Sequence, residues 1–338
     1  MTRSARLAGI GSFLPSCLVP NAQLAARMDT SDEWIRTRTG IRQRYFAEPG
    51  TTTSDLAAEA GARAMKSAGL AEVDAVVLAT TTPDRPCPAT APVVAAKLGL
   101  AGRPAFDVQA VCTGFVYALA TACGLLAMGC VDTVLVIGAE TFSTILNPAD
   151  RATSVIFGDG AGAMVLRSGQ TAGNGAVGNG AVGPFDLGSD GTGQDLITVR
   201  AGGAEQRRSG SAPAPGDEYF SMAGREVFRQ AVEHMAQSAR AVLGQVGWQA
   251  GDVDWLACHQ ANLRILVRLA DVLGIPEARV LANIAEVGNT SAASIPLAID
   301  QAYRAGRFKA GDRLLLSAFG GGLTWGSTVL TWPDLTHP

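Results

Sequence analysis

Residues 106–115 of the chain read Phe-Asp-Val-Gln-Ala-Val-Cys-Thr-Gly-Phe, and mostly small apolar residues continue from Val116 to Met128. The first part predicts a short strand that ends at Cys112, and the second predicts a helix that begins at once. A cysteine at that junction faces the positive end of the helix dipole, which stabilises a thiolate. The stretch therefore predicts a nucleophilic Cys112 with a lowered pKa, although a buried, unreactive thiol also fits the local sequence.

The amino-acid composition narrows the class of protein to which the chain can belong. Of the 338 residues, 47% are hydrophobic and 17% charged, which suits a buried parallel sheet and a sizeable subunit interface. A net charge of −3 gives no electrostatic reason to expect a nucleic-acid partner. We expect no membrane partner, because no apolar run reaches the roughly 18 to 20 residues that cross a bilayer. Residues 1–15 lack the features of a signal peptide, so a cytoplasmic location is expected.

The second half of the sequence repeats the plan of the first. A helix precedes the apolar segment 73–77, and another precedes 253–257. Residues 110–113 and their helix match 285–291 and the helix that follows. Two halves of one design predict a layered α/β body with pseudo-twofold symmetry, in which the helix starts at Cys112 and Asn289 are equivalent.

A glycine-rich run at 169–183 contains a near-repeat of Gly-Asn-Gly-Ala-Val. Low complexity of this kind is typical of a surface connection. We therefore divide the chain into an N-terminal half, 1–168, and a C-terminal half, 184–338.

Two residues of the second half complete a candidate site. His259 directly follows a predicted strand, at the strand end where α/β proteins place their sites. Read alone, His259 fits a structural hydrogen bond and Asn289 fits a helix cap. Together with Cys112 they supply a nucleophile, an imidazole and an amide donor. The glycine loop that begins at Phe319 adds backbone N–H groups for a substrate oxygen. The six cysteines contain no CxxC pair, and we expect neither a metal nor a cofactor.

Cysteine, histidine and asparagine fit either a cysteine protease or an acyltransferase. Seven short motifs, spread over nearly the whole chain, decide between these classes: 32–35, 38–41, 111–115, 157–163, 259–264, 288–291 and 319–326. In their content and order they resemble the thiolase-fold condensing enzymes, and specifically β-ketoacyl-acyl carrier protein synthase III. The resemblance implies a thiolase-like fold with αβαβα layers.

The same resemblance implies a reaction. Cys112 would take an acyl group from acyl-CoA, and malonyl-acyl carrier protein would then lose carbon dioxide and attack the acyl-cysteine, which initiates fatty acid synthesis. His259 and Asn289 would donate hydrogen bonds to the thioester oxygen. The backbone N–H groups of Cys112 and Gly321 would hold the oxyanion, and Phe319 would wall the site.

The resemblance also implies a coenzyme A tunnel and a homodimer. Trp34 would stack on the adenine, Arg38 and Arg151 would lie near the phosphates, and Arg264 would lie at the mouth. Asn262 would support the histidine region. The basic segment 36–44 is expected to form a phosphate-binding edge, although a solvated loop fits it too.

Two departures from the family pattern bear on substrates. Cys87 stands where well-studied members carry a large aromatic residue that closes the partner subunit's acyl pocket, which predicts acceptance of acyl chains beyond acetyl. Arg264 and Arg268 fit the docking of an acidic carrier protein, but Asp271 weakens that attraction. Arg225 and Arg229 are candidates to compensate.

Other functions remain open on the sequence alone. A thiolase needs a second cysteine in the C-terminal glycine loop, and residues 319–326 contain none. A pathway-specific relative that transfers or condenses acyl groups in secondary metabolism would use the same three residues. A non-catalytic acyl-CoA-binding protein and a cysteine hydrolase are the alternatives from other classes.

Overall fold

Two β-sheets alternate with three helical layers in the computed structural model, which describes residues 3–170 and 178–335. The layers stack in the order α-β-α-β-α, so the predicted five-layer α/β architecture is confirmed. The strands are β1 (Arg3–Phe13), β2 (Cys17–Pro20), β3 (Gln43–Phe46), β4 (Ala75–Ala79), β5 (Ala105–Val108), β6 (Thr133–Glu140), β7 (Gly160–Gln170), β8 (Val182–Ser189), β9 (Ile197–Thr198), β10 (Ser221–Met222), β11 (Trp255–Cys258), β12 (Arg313–Gly320) and β13 (Thr324–Thr331).

The helices pack on both faces of each sheet. Two of them, α2 and α8, carry the candidate site residues Trp34 and Arg264, and α5 follows the turn that contains Cys112. The helices are α1 (Asn21–Ala25), α2 (Asp32–Thr39), α3 (Thr53–Ser67), α4 (Ala91–Lys97), α5 (Gly114–Met128), α6 (Ala204–Arg208), α7 (Gly224–Val246), α8 (Leu263–Leu273), α9 (Ile284–Val287) and α10 (Ser294–Arg304).

The four strands of the C-terminal sheet repeat the order and direction of four of the five strands of the N-terminal sheet. The N-terminal sheet has the order β1-β7-β6-β4-β5, with β1, β7 and β6 antiparallel and β6, β4 and β5 parallel. The C-terminal sheet has the order β8-β13-β12-β11, with antiparallel pairing from β8 to β12 and parallel pairing of β12 with β11. The predicted internal duplication is therefore confirmed in the strand order.

Helices α5 and α10 form the central layer between the sheets. Apolar side chains from both helices and both sheets share one core, for example Phe115, Ile295, Val136 and Leu316. The segment Val111–Met128 is 18 residues long with a mean hydropathy of 1.8, so it passes by length and composition as a membrane span. The expectation that no run reaches this length is wrong. Burial of this helix between two sheets explains its apolar composition.

A constant spacing relates the two halves. Strands β4 and β11 begin at Ala75 and Trp255, and strands β6 and β12 begin at Thr133 and Arg313, each 180 positions apart. The 3-10 turns that lead into the central helices keep this spacing, because they begin at Val111 and at Ser291. Both of these residues have a φ of 47°, in the left-handed region that side chains rarely adopt.

This spacing corrects the predicted equivalence of Cys112 and Asn289. The residue 180 positions after Cys112 is Ala292, and the residue 180 positions before Asn289 is Gln109. The sequence comparison matched the turns three residues out of register, because it aligned polar motifs rather than backbone geometry. Cys112 and Asn289 therefore come to the site from non-equivalent positions.

The connection predicted at 169–183 overlaps two strands at its ends, since β7 continues to Gln170 and β8 begins at Val182. Residues 171–177 lie outside the described part of the chain. The division of the chain into halves at this run stays a prediction.

Candidate active site

Cys112 lies in the turn between β5 and α5 and is buried. Strand β12 ends at Gly320 directly against this turn, where an added Cβ would lie 2.8 Å from the backbone nitrogen of Cys112. Only glycine permits this approach of strand to turn. The Cys112 side chain lines a cavity of about 30 Å³ together with His259, Asn289 and Phe319.

The predicted lowering of the Cys112 pKa is wrong for the protein without substrate. Burial, with a smaller contribution from the charge of Glu140, raises the pKa of the Cys112 thiol to about 12. The thiolate would lose the hydration that water gives it, and this cost exceeds what the helix dipole supplies. The sulfur is therefore protonated at rest.

His259 directly follows β11, and its backbone N–H donates to the carbonyl oxygen of Ser317 over 2.9 Å. Its Nδ1 lies 2.7 Å from the hydroxyl oxygen of Ser294, the first residue of α10. Burial lowers the pKa of His259 to about 3, so the imidazole is neutral. When Ser294 donates to Nδ1, Nε2 carries the remaining proton and can donate to a substrate oxygen.

Asn289 is fixed by its backbone and by its side-chain oxygen. Its N–H donates to Ile156 and its carbonyl oxygen accepts from Gly158, each over 2.9 Å. The side-chain Oδ1 accepts from the backbone N–H of Ser291 over 2.9 Å. The amide NH₂ of Asn289 is therefore the polar group that this side chain offers to the cavity.

The glycine loop is tied to the turn that carries Cys112. Thr324 Oγ1 lies 3.1 Å from the carbonyl oxygens of both Ala110 and Gly321. An added Cβ on Gly321 would lie 3.2 Å from the Val111 side chain, so this residue packs beside the turn. Phe319 is buried in the wall of the small cavity, in line with its predicted place.

A second cavity, of about 670 Å³, is lined by residues of α2 and α8. The predicted residues Trp34, Arg38, Asn262 and Arg264 line it, and so does Asn289. The two cavities share five lining residues: Met222, Val227, Ala261, Ile265 and Asn289. The two cavities therefore adjoin each other along these side chains.

Trp34 lies on α2, whose start is capped by Ser31, since the Ser31 hydroxyl accepts from the Trp34 N–H over 3.1 Å. The guanidinium carbons of Arg38 and Arg151 lie 4.6 and 5.4 Å from the centre of the Trp34 ring. Arg151 also donates to the backbone oxygen of Asp29 over 2.7 Å. The structure thus brings three of the predicted nucleotide-binding residues together.

Asn262 caps α8 and also touches the segment that carries Arg38. Its Oδ1 accepts from the Arg264 N–H over 2.9 Å, and its Nδ2 donates to the Arg38 carbonyl oxygen over 3.0 Å. The side chain therefore fixes the relative position of two cavity-lining arginines.

The basic segment 36–44 does not form the single phosphate-binding edge that was expected. Arg44 is fully buried and donates to the carbonyl oxygens of Val19 and Val155. Arg36 pairs with Asp32, and Arg42 pairs with Glu286. Of the four arginines in this segment, Arg38 lines the larger cavity.

Comparisons with known proteins decide the family. Models of 3-oxoacyl-[acyl-carrier-protein] synthase III match residues 106–191, and models of its C-terminal part match residues 243–332. A Streptomyces coelicolor protein named beta-ketoacyl-[acyl-carrier-protein] synthase III 3 is 62% identical over 335 residues, which cover 98% of each chain. The chain belongs to the synthase III family. The predicted family and the predicted acyltransferase-type condensing activity are confirmed.

Solved structures agree with this assignment and confirm the thiolase-like fold class. A crystal structure of 3-oxoacyl-(acyl carrier protein) synthase III from Pseudomonas aeruginosa matches this synthase III with a TM-score of 0.91 and 50% identity, covering 99% of this chain and all of that one. The priming β-ketosynthase of the R1128 polyketide biosynthetic pathway matches with a TM-score of 0.90 and 36% identity, over 99% and 98% of the two chains.

Cys87 of this synthase III lies in the loop between β4 and α4, and it is exposed. It lines neither of the two cavities described above. Its predicted contact with a partner subunit's acyl pocket is not tested by a single chain and stays a prediction.

The sequence analysis missed three polar residues that surround the predicted site of the synthase III. Ser294 orients His259, Ser291 begins the 3-10 turn that precedes α10, and the charge of Glu140 acts on the Cys112 thiol. Glu140 is fully buried at the end of β6, and burial raises its pKa to about 6. A sequence signal for Glu140 existed, because a single acidic residue closes the otherwise apolar run of that strand. Within residues 3–170 and 178–335, no group of three or more His, Cys, Asp or Glu could hold a metal ion.

Proposed function

We propose that this synthase III condenses an acyl group from acyl-CoA with malonyl-acyl carrier protein through an acyl-Cys112 intermediate, and so initiates fatty acid synthesis. The observation that carries the proposal is the shared cavity of Cys112, His259 and Asn289, which adjoins a larger cavity lined by Trp34 and arginines. A nucleophile and two hydrogen-bond donors thus lie at the inner end of a passage that a coenzyme can enter.

Acyl transfer is the first half of the proposed reaction. The Cys112 sulfur attacks the thioester carbon, and the bond from that carbon to the coenzyme A sulfur breaks. Negative charge develops on the carbonyl oxygen in the tetrahedral intermediate. The backbone N–H groups of Cys112 and Gly321 are the proposed donors to this oxygen.

Decarboxylation of the malonyl thioester is the second half. Loss of carbon dioxide leaves an enolate, whose charge rests on the thioester oxygen. His259, neutral and oriented by Ser294, and the NH₂ group of Asn289 are the proposed donors to this oxygen. A neutral imidazole donor suits this step, because it stabilises the enolate without transferring a proton to it.

The larger cavity is the proposed coenzyme A tunnel. Trp34 offers an aromatic face to the adenine, and Arg38, Arg151 and Arg264 offer guanidinium groups to the phosphates. Asn262 acts in this proposal by fixing the backbone that carries Arg38 and Arg264.

The structure specifies the carrier of the malonyl group less closely than it specifies the acyl-CoA site. Arg225 and Arg264 line the larger cavity, but Arg268 is paired with Asp271, and Arg229 is paired with Glu226 and Glu233. These pairings reduce the positive charge available to an acidic carrier protein. They favour, as a second candidate, a pathway-specific relative in secondary metabolism with a different acceptor. Homodimerisation, a cytoplasmic location and the lack of a cofactor stay predictions.

A matrix of acyl-CoA primers against malonyl acceptors tests the proposed function. We expect a β-ketoacyl thioester and one carbon dioxide per product, with malonyl-acyl carrier protein as the better acceptor. Transfer of the acyl group to a hydroxyl or amine without carbon dioxide release would favour the second candidate. Thioester hydrolysis that outpaces condensation in the presence of malonyl donor would show a hydrolase instead.

Replacing Cys87 by phenylalanine is expected to shorten the acyl chains that the enzyme accepts. The wild-type enzyme should use acyl-CoA primers longer than acetyl, because a small side chain at 87 leaves room in the partner subunit's pocket. The variant should lose about tenfold or more in kcat/KM for the longer primers while acetyl-CoA changes little.

The measurement is kcat/KM across a series of acyl-CoA lengths, with Cys130→Phe as the matched control at another exposed cysteine. A strict preference of the wild-type enzyme for acetyl-CoA would contradict the prediction.

A further inference from the structure

Strands β8, β13 and β12 bring three residues into one cross-strand row beside the candidate site. Phe319 pairs with Trp325, and Trp325 pairs with Gly188. Directly opposed residues of antiparallel strands point to the same face of a sheet. An added Cβ on Gly188 would overlap the Trp325 ring, so only glycine leaves room for this ring. The Trp325 indole therefore lies over the backbone of β8.

His234, on α7, stacks on the two aromatic residues of this row. Its ring centre lies 4.0 Å from that of Trp325 and 6.0 Å from that of Phe319, with interplanar angles of 18° and 11°. Nearly parallel rings at such distances attract each other through stacking. Phe319 lines the small cavity beside Cys112, whereas His234 lines neither cavity. His234 can therefore act on the site only through the Phe319 ring.

A hydrogen bond on one edge fixes the orientation of the His234 ring. The Gln230 side-chain NH₂ group donates to the Glu226 carboxylate over 2.9 Å, so Gln230 Oε1 faces His234 and lies 3.0 Å from its Nε2. Because an amide oxygen only accepts, Nε2 carries the proton of this bond. His234 Nδ1 is buried and has no hydrogen-bond partner within residues 3–170 and 178–335. A buried nitrogen without a partner costs free energy, so stacking explains the burial of this edge of the ring.

We propose that His234 is a positioning residue for condensation: its stack with Trp325 holds the Phe319 ring in the cavity wall, and the held ring keeps water away from the enolate. This inference rests on the proposed function. Phe319 is 4% exposed, and the lining residues Phe157 and Phe220 are buried aromatic side chains as well. An apolar wall offers no hydrogen bond to a water molecule, so water enters only when a ring moves.

The enolate left by decarboxylation can form two products. Attack on the acyl carbon forms the carbon–carbon bond and releases the Cys112 sulfur, which gives a β-ketoacyl thioester. Transfer of a proton from water to the enolate carbon gives an acetyl thioester and hydroxide, and the acyl group stays on Cys112. Carbon dioxide forms in both cases, so the ratio of carbon dioxide to β-ketoacyl product measures how well the site excludes water.

The test compares the full-length wild-type enzyme with His234→Ala, each acylated in advance with deuterium-labelled acetyl-CoA and then mixed with malonyl-acyl carrier protein. Mass spectrometry distinguishes the labelled β-ketoacyl product from the unlabelled acetyl thioester. The wild-type ratio of carbon dioxide to β-ketoacyl product should be close to one. In His234→Ala the ratio should rise to about two or more, since loss of a stacked ring shifts a side-chain equilibrium by about two- to tenfold. The acylation rate should stay within about twofold of the wild-type rate, because His234 lies outside both cavities.

His234→Phe is expected to restore the ratio to near one, because phenylalanine keeps a flat ring and has no nitrogen that needs a partner. Phe308→Ala is the matched control. Phe308 is also a half-buried ring packed against two others, Trp255 and Trp332, and it lines neither cavity. Its removal should leave the ratio at the wild-type value.

Three results would overturn the role of His234: a ratio near one in His234→Ala, no recovery in His234→Phe, or an equal rise in Phe308→Ala. Losses of equal size in acylation and condensation would also overturn it, because a general loss of structure slows both steps. A wild-type enzyme that forms no acyl-enzyme, or that releases no carbon dioxide from malonyl-acyl carrier protein, would instead overturn the proposed function.

Discussion

Cys112→Ala is expected to lose acyl-enzyme formation completely and to lower condensation by more than about 10³-fold. The sulfur is the group that bonds to the acyl carbon in the proposed reaction, and alanine offers no replacement nucleophile. The variant should fold, because the change removes one atom beside a cavity of about 30 Å³. The measurement is intact-protein mass spectrometry after mixing with acyl-CoA, in parallel with product formation.

The matched control for this variant is Cys123→Ala. Cys123 lies on α5, the helix that follows the Cys112 turn, and burial raises its pKa to about 12 as well. It lines neither cavity, so its removal should leave acylation and condensation unchanged. Acylation of Cys112→Ala at the wild-type rate would show that another side chain is the nucleophile.

The positions of the main site residues could be predicted from the sequence because element ends determine them. A strand end placed His259, a strand-to-helix junction placed Cys112, and a glycine-rich loop placed Gly321 beside the Cys112 turn. A few neighbouring residues determine each of these features, so hydrophobic patterns and glycine positions are enough to predict them.

The electrostatic state of the site could not be predicted in the same way. The helix dipole is visible in the sequence, but the burial that raises the pKa of Cys112 arises from packing of both halves around the turn. Glu140 adds to this effect from 28 positions further along the chain. Burial and long-range charge depend on tertiary contacts, and these outweigh the local dipole.

The residue-by-residue correspondence between the two halves also could not be predicted from the sequence. Motif similarity paired Cys112 with Asn289, whereas backbone geometry pairs Val111 with Ser291 through their common left-handed conformation. The proposed roles of the two halves differ, because the proposed nucleophile Cys112 lies in one half and the proposed donors His259 and Asn289 lie in the other. Side-chain likeness is therefore a poor guide to equivalence where the two copies perform different tasks.

His259→Ala and Asn289→Asp are expected to lower carbon dioxide release and condensation by about 10²- to 10³-fold, with acyl-enzyme formation within a few-fold of the wild-type rate. Each change removes a donor to the enolate oxygen, and that donor acts in the decarboxylation step. Asn289→Asp keeps the size of the side chain and the oxygen that accepts from Ser291, but places a negative charge beside the enolate. Asn289→Asp should therefore lower carbon dioxide release more than Asn289→Ala does.

The pH profile of carbon dioxide release from the acylated enzyme tests the charge state of His259. Burial lowers the pKa of His259 to about 3, so the donor stays neutral throughout pH 5 to 9 and carbon dioxide release from the acylated enzyme should have no acid limb there. Loss of acylation together with carbon dioxide release in His259→Ala would make the imidazole the base for Cys112. A retained acylation rate in that variant would show that another group takes the proton of Cys112.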